Sequence, residues 1–257
     1  MKDRIALVTG AAGGIGAAVA GVLSELGVTV AAVDRDADRL RETTEKLSAD
    51  GLPVLAFPAD VTSGAEVTSV VNAVEEQLGP VDHLVNAAGV LRLGSVGELA
   101  ESDWRATFDV NATGTFLMSQ AVVGRMTRRE RGAVVTVASN AAGTARMEMA
   151  AYAASKAAAA MFTKCLGLEA ARHGIRCNVV APGSTDTPML RSMWHDETGP
   201  QKTLEGSPAA YRLGIPLKRI AAPRDVADAV VFLLSDRSAH ITMHTLTVDG
   251  GATLGTS

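Results

Sequence analysis

Ile5-Ala-Leu-Val-Thr-Gly-Ala-Ala-Gly-Gly-Ile-Gly16 decides the fold. A short apolar run leads directly into a glycine cluster, and residues 15–26 behind it repeat apolar side chains with helical spacing. Glycines let a backbone turn tightly and approach a pyrophosphate. A helix opening near Gly14 offers free N–H groups and the positive end of its dipole. A glycine cluster alone is weak grounds for a nucleotide site. Here the strand stands before it, the helix after it, and a second apolar run follows about twenty residues on, as such a unit requires. Gly10, Gly14, Ile15 and Gly16 are the candidate phosphate contacts.

The same alternation continues to the end of the chain. Apolar runs at 5–9, 28–33, 54–57, 83–85, 134–138, 177–180 and 245–248 read as buried strands. Stretches at 15–26, 37–49, 64–78, 101–127, 150–173 and 223–235 read as helices. Ser102-Asp103 before Trp104, and Pro223 ahead of Asp225, read as helix starts. Strands alternating with helices of this length predict right-handed crossovers and a doubly wound, Rossmann-type α/β fold with a seven-stranded parallel sheet. No repeat or linker interrupts the pattern, so residues 1–257 read as a single domain. The exception is the stretch from Pro182 to about Leu213, which has no clean period. Aperiodic stretches beyond about 12–15 residues in compact domains are usually functional. This one holds Met189, Met193, Trp194 and Tyr211, which suits a substrate lid over about 184–213 better than a solvated tail.

Composition excludes several function classes. Aromatic residues are only 4% of the chain, so the core must be built from Ala, Val, Leu and Ile. That mix suits strands buried on both faces. A net charge of −4 leaves no footprint for nucleic acid or an anionic membrane. No apolar run reaches membrane-spanning length. The basic run from Arg125 to Arg131 reads as a solvated helix end complementing the helix dipole. Cys165 and Cys177 lack CxxC spacing and read as small core residues. His83, His173, His195, His240 and His244 show no metal-ligand pairing, so no metal is expected. Trp104 reads as a core anchor. The early first strand leaves no room for a leader, which predicts a cytoplasmic protein.

The second apolar run ends Val33-Asp34-Arg35. A carboxylate there can accept hydrogen bonds from the adenosine ribose hydroxyls and would repel a 2′-phosphate, which points to NAD. Arg35 would favour NADP instead. Asp34 also suits a helix N-cap, a role compatible with cofactor binding. Only two tyrosines exist, and one lies in Tyr152-Ala-Ala-Ser-Lys156. Residues i and i+4 share a helix face. Hydride removal from a carbinol needs a base for the hydroxyl proton, and a phenol of pKa about 10 is too weakly ionised near neutrality. A nearby ammonium favours the phenolate. The glycine loop, Asn86-Ala-Ala-Gly89 and Ser139 follow the first, fourth and fifth strands at one sheet edge, where ligands bind in open parallel sheets.

Taken in order and spacing, these segments resemble the short-chain dehydrogenase/reductases over the whole chain. The matching residues are the loop from Thr9 to Gly16, Asp60-Val61, Asn86 to Gly89, Asn111, Ser139, Tyr152, Lys156 and Pro182-Gly183. The resemblance implies that Ser139 holds the substrate oxygen and Tyr152 exchanges its proton. Lys156 would lower the tyrosine pKa and grip the nicotinamide ribose, while Asn111 anchors a water leading to solvent. Asp60 and Val61 would flank the adenine, Asn86 and Gly89 the cofactor ribose, and Thr185 and Thr187 the nicotinamide. The family often has Ile or Val where Thr185 stands. It also implies a homotetramer, with the helices at 101–127 and 150–173 packing across one interface.

Outside the shared motifs, Asn86 to Gly94, Val135 to Ser139, Arg176 to Val180, Leu213 to Leu217 and the tail from Val248 to Gly255 resemble one subfamily. Its members, from catechol siderophore biosynthesis, oxidise the C3 hydroxyl of a cyclohexadiene carboxylate, and tautomerisation then gives an aromatic catechol. A carboxylic acid substrate needs a cation. Arg146, between Ser139 and Tyr152, is the candidate, with Arg92 as a second; Met147, Met149 and Asn140 would line the same pocket. The chain has Asn140, Gly143 and Glu148 where the subfamily suggests Asp, His and Gly. Dihydroxybenzoate chemistry at C2 is therefore the first reading and an amino group, as in trans-2,3-dihydro-3-hydroxyanthranilate, the second. An NADPH-dependent ketoacyl reductase is disfavoured by Asp34. A non-catalytic NAD-binding protein is disfavoured by the survival of Ser139, Tyr152, Lys156 and Asn111.

Overall fold

Within each strand, successive side chains alternate between two cores. Ala6 and Val8 of β1 (Ile5–Thr9) face one helical layer, and Leu7 between them faces the other. The computed structural model describes residues 1–194 and 196–255. Its elements follow as α1 (Gly14–Glu25), β2 (Thr29–Asp34), α2 (Ala37–Ala49), β3 (Val54–Pro58), α3 (Gly64–Gln77), β4 (His83–Asn86), α4 (Glu101–Phe108) and α5 (Gly114–Arg129). Then come β5 (Gly132–Val137), α6 (Ala150–Ala170), β6 (Ile175–Pro182), the short helices α7 (Pro188–Arg191) and α8 (Gly199–Glu205), the hairpin β7 (Gly206–Ser207) and β8 (Arg212–Leu213), α9 (Pro223–Leu234) and β9 (Thr245–Val248).

Seven strands pair in parallel in the order β3-β2-β1-β4-β5-β6-β9, the expected doubly wound sheet in one domain. The chain winds one way from β1 to β3 and the other way from β4 onward. The loops after β1 and β4 therefore diverge and leave a crevice at their carboxyl ends. On one face, α1 and α9 bury Val19, Leu23, Val226 and Leu234 against Ala6, Val8 and Val135. On the other, α3 and α5 bury Val71, Val74, Met118 and Met126 against Leu7, Leu84 and Val134. Each such side chain contributes about 1.5–3 kcal/mol on burial.

Local signals explain where the helices start. Asp36 caps α2 by accepting the Arg39 N–H at 3.1 Å, so Asp34 is not the cap and its carboxylate faces elsewhere. Pro223 stands at the first position of α9, as expected. By contrast α1 carries no side-chain cap, which leaves its N-terminal donors for a ligand. The Ser102-Asp103 start signal lies within the first turn of α4, whose cap is Ala100. The expected unbroken helix at 101–127 contains a π-helical turn at Asp109–Thr113.

Three other expectations need correction. Trp104 is 40% exposed and stacks on Phe108 instead of anchoring the core. Cys177 is buried but Cys165 is exposed, because it falls on the outer side of α6. The basic run is not merely solvated: Arg125 and Arg129 reach Glu75 of α3 at 3.5 and 2.9 Å, and Arg131 pairs with Asp82. Among the described residues, no helix is long and apolar enough to cross a membrane, and no cluster could hold a metal ion. His195 lies outside them.

His83 on β4 is fully enclosed, with neither imidazole nitrogen hydrogen-bonded. Burial, reinforced by the Arg4 cation, lowers its pKa to about 4; Asp82 and Asp236 act the other way and Arg176 with Arg4. The unfolded chain, with His near 6.5, binds the extra proton first. His83 therefore costs stability as pH falls from about 6.5 to 4, and nothing above that window. His83→Leu is expected to recover about 3 kcal/mol of the acid-induced loss. The check is the urea midpoint of both proteins at neutral pH and near pH 4.5; an unchanged acid limb would refute it.

Candidate active site

Two cavities lie along the carboxyl edge of the sheet and share a wall of Ile15, Ala87, Gly89, Thr187 and Met189. The first is a groove over the glycine loop. It runs past Gly10, Gly14, Ile15, Gly16, Asp34, Arg35, Asp60 and Val61. The second, of about 360 Å³, holds Ser139, Tyr152 and Lys156 and is covered by the segment around α7, α8 and the β7–β8 hairpin.

The groove fits a dinucleotide. Gly10 has a φ of 69°, and a Cβ there would stand 2.8 Å from the Ala87 carbonyl, so only glycine lets β1 and β4 deliver their loops side by side. Asp34 accepts from the Ala12 and Asp36 N–H groups at 3.1 Å each. A carboxylate has about four acceptor positions, so two remain for hydroxyl donors. Asp60 is ordered by Thr62, whose N–H and hydroxyl donate to it at 2.9 and 2.8 Å. Arg39, which sequence reasoning missed, joins Arg35 along the same wall; its place in the first turn of α2, directly after Asp34 and Arg35, was the available signal.

In the second cavity, α6 places Tyr152 and Lys156 on one face, both nearly enclosed. Tyr152 and Ser139 line this cavity together. Ser139 caps the 3₁₀ turn after β5, its Oγ accepting the Ala141 N–H at 3.1 Å. Lys156 Nζ donates to the Val137 carbonyl at 2.9 Å and stands 5.9 Å from the Tyr152 ring centroid. Burial lowers the Lys156 pKa to about 8. Burial also raises the Tyr152 phenol, with the Ser139 side chain pulling it back. The expectation that Lys156 depresses the tyrosine is thus not met in the protein by itself. One ammonium N–H is taken by the Val137 carbonyl, and desolvation of the phenolate dominates.

Asn111 occupies the π turn and is completely buried. Its Oδ1 accepts the Val90 N–H at 2.8 Å, and its Nδ2 donates to the Val90 carbonyl at 3.0 Å and to Ser155 Oγ at 2.9 Å. Thr187 and Thr185 line the second cavity. Thr187 caps α7 by accepting the Leu190 N–H, and Thr185 donates to the Gly183 carbonyl. Arg146, Met147, Met149 and Glu148 also line it, with Met147 at the rim. Asn140 is present, but its amide donates to Asp249 at 3.3 Å.

Two predicted residues fall elsewhere. Arg92 lies outside both cavities and pairs with Asp103 at 3.5 Å, because α4 offers it a carboxylate on the outer surface. Asn86 sits behind the groove, donating to Ser119 at 2.9 Å; Ala87, Ala88 and Gly89 form the wall it was expected to form. Tyr211 of the covering segment points outward. Arg212, one residue on, was missed and lines the cavity.

A dinucleotide groove opening onto a serine, tyrosine and lysine defines a nicotinamide-dependent oxidoreductase. Residues 4–198 match the short chain dehydrogenase model, and the chain belongs to that family. It is 52% identical to a 2,3-dihydro-2,3-dihydroxybenzoate dehydrogenase of Bacillus subtilis, over 99% of this chain and 98% of that one. It is 43% identical to the vibriobactin-specific enzyme of the same name from Vibrio cholerae, over 96% and 95%. Among solved structures, levodione reductase superimposes with a TM-score of 0.92 at 28% identity, covering 99% of each chain.

A Cβ on Gly89 would stand 3.1 Å from Lys156 Nζ and 3.3 Å from Asn111 Oδ1. Gly89→Ala is therefore expected to shift the ammonium and to lower kcat/KM about 10- to 100-fold, with an unchanged circular dichroism spectrum. Full activity would mean that Lys156 yields without consequence.

Proposed function

We propose that this chain oxidises the C3 hydroxyl of 2,3-dihydro-2,3-dihydroxybenzoate to give 2,3-dihydroxybenzoate, with NAD as acceptor. The observation that carries the reading is the junction of the two cavities: Tyr152 and Lys156 stand beside it, in a pocket whose wall carries Arg146. Two relatives alike over nearly their full length bear this activity in their names. When bound, NAD supplies the ring that takes the hydride from C3. The Ser139 hydroxyl holds the C3 oxygen, and Tyr152 takes its proton, the Lys156 ammonium beside it offsetting part of the cost that burial sets on the phenolate. Lys156 has two N–H donors left after Val137, which suit the nicotinamide ribose hydroxyls. The ring then tautomerises to an aromatic catechol, which drives the oxidation forward. The two spare acceptor positions of Asp34 support NAD over NADP. Residues 184–213 act as the lid.

Glu148 favours a second reading. It lines the pocket, and an ammonium at C2 would complement it, which gives trans-2,3-dihydro-3-hydroxyanthranilate as substrate and 3-hydroxyanthranilate as product. A paired assay of both dihydro acids, following NADH formation, separates the two. The dihydroxybenzoate precursor should show at least about tenfold higher kcat/KM, and NAD should bind about tenfold tighter than NADP, each a difference of about 1.4 kcal/mol. Preference for the amino acid would transfer the assignment, and no turnover of either would refute it.

We also propose a homotetramer. Phe116 on α5 and Met161 and Leu168 on α6 are 40%, 60% and 69% exposed, an apolar face on the helices the family resemblance pairs between subunits. Light scattering should give four chain masses; a monomer would contradict it.

A further inference from the structure

We propose that Arg212, with Arg146, forms a two-arginine clamp for the substrate's carboxylate across the mouth of the catalytic cavity. The inference rests on the function proposed above and deepens it, since Arg146 alone was the expected cation. Arg212 stands on β8, in the hairpin that roofs the cavity, and Arg146 stands in the segment between Ser139 and α6 that forms its wall. A ligand held by both would tie roof to wall.

Arg212 is partly buried, and among the described residues neither arginine takes part in an ion pair. Half of the other sixteen arginines behave differently: Arg4, Arg41, Arg105, Arg129, Arg131, Arg191, Arg219 and Arg224 each hold a carboxylate within 3.0 Å. Among the described residues, the side chain of Arg212 has a single hydrogen-bond partner, Ser184 Oγ, to which Nη2 donates at 2.8 Å. That bond fixes the guanidinium against the loop following β6 and leaves four of the five N–H donors of an arginine unspent. Burial lowers the Arg212 pKa and the Arg146 cation lowers it further, so the two charges feel each other.

Two like charges converging in a half-enclosed cavity cost stability unless an anion joins them. Glu148 lines the same cavity, but it is exposed and pairs with neither. A planar carboxylate has the geometry for the forked donors of a guanidinium and two oxygens to share between two arginines. Placed there, it would leave the ring between the clamp and Tyr152, with a hydroxyl-bearing carbon directed at the phenol.

The test uses the NAD-loaded full chain and a probe that needs no turnover, salicylate, against its uncharged amide, salicylamide, by titration calorimetry. The wild type should bind salicylate at least about tenfold more tightly than salicylamide. Arg212→Ala should weaken salicylate about 10- to 100-fold, the range for a hydrogen bond to a charged group, and leave salicylamide unchanged. Arg146→Ala should do the same. Arg212→Gln, which keeps the side-chain stem and an amide donor without the charge, should behave as Arg212→Ala, which separates the clamp from a structural role. Salicylate binding unaltered by Arg212→Gln, or equal weakening of acid and amide, would overturn the proposal. Failure of the wild type to oxidise either dihydro acid, with the salicylate selectivity intact, would sink the substrate assignment and leave the clamp standing.

Discussion

Asn111 is sealed from water, so its amide must find every hydrogen bond inside the protein. It does so by taking both backbone groups of Val90 and the hydroxyl of Ser155. Those three bonds join the loop after β4, the α4–α5 helix and α6. Val90 follows Gly89, the residue whose missing side chain leaves room for Lys156, and Ser155 precedes Lys156 itself. The π turn at Asp109–Thr113 is what directs the amide inward at that height, a local departure from the α-helix of the kind often seen at functional sites. Around this knot the Lys156 side chain has little freedom, and its bond to the Val137 carbonyl ties it to the end of β5.

The electrostatics of the site follow from the same enclosure. In a cavity of low dielectric, charge is expensive unless paired. Lys156 answers with a pKa drawn down to about 8, and Tyr152 with a phenol drawn up. The protein alone thus holds both groups closer to neutrality than their free values. Arg146 and Arg212 cannot respond in this way, because a guanidinium keeps its proton at any working pH. Their charges persist at the mouth while those of the interior are muted. That gradient suits an anionic substrate that must present a neutral hydroxyl to the tyrosine. The groove beside it is arranged on the same principle, with uncapped N–H groups at the start of α1 at one point and the Asp34 carboxylate at another.

The sheet was readable because its determinants are local. Seven apolar runs separated by helical stretches have one economical packing, and the glycine loop after β1 marks where the strand order reverses. Tyr152 and Lys156 were readable because four residues on a helix share a face. Where the reading failed, the missing quantity was a distance between segments far apart in the chain. Arg92 looked as eligible as Arg146 until α4 supplied Asp103 to hold it outside. Asn86 sat in the right motif, yet Ser119 draws it behind the wall that its neighbours form. Trp104 and Cys165 had core-like chemistry on helix faces that turn outward.

By itself, then, the sequence determined the fold class, the cofactor edge and the shared helix face of Tyr152 and Lys156, each of which depends on periodicity or on spacing within one element. The tertiary structure alone decided which cations line the cavity, what Asn111 binds, and how far burial moves the ionisable groups. Those outcomes depend on solvent exclusion and on contacts between residues dozens of positions apart, such as Ser184 with Arg212 and Asn111 with Ser155. Neither quantity exists until the chain has folded.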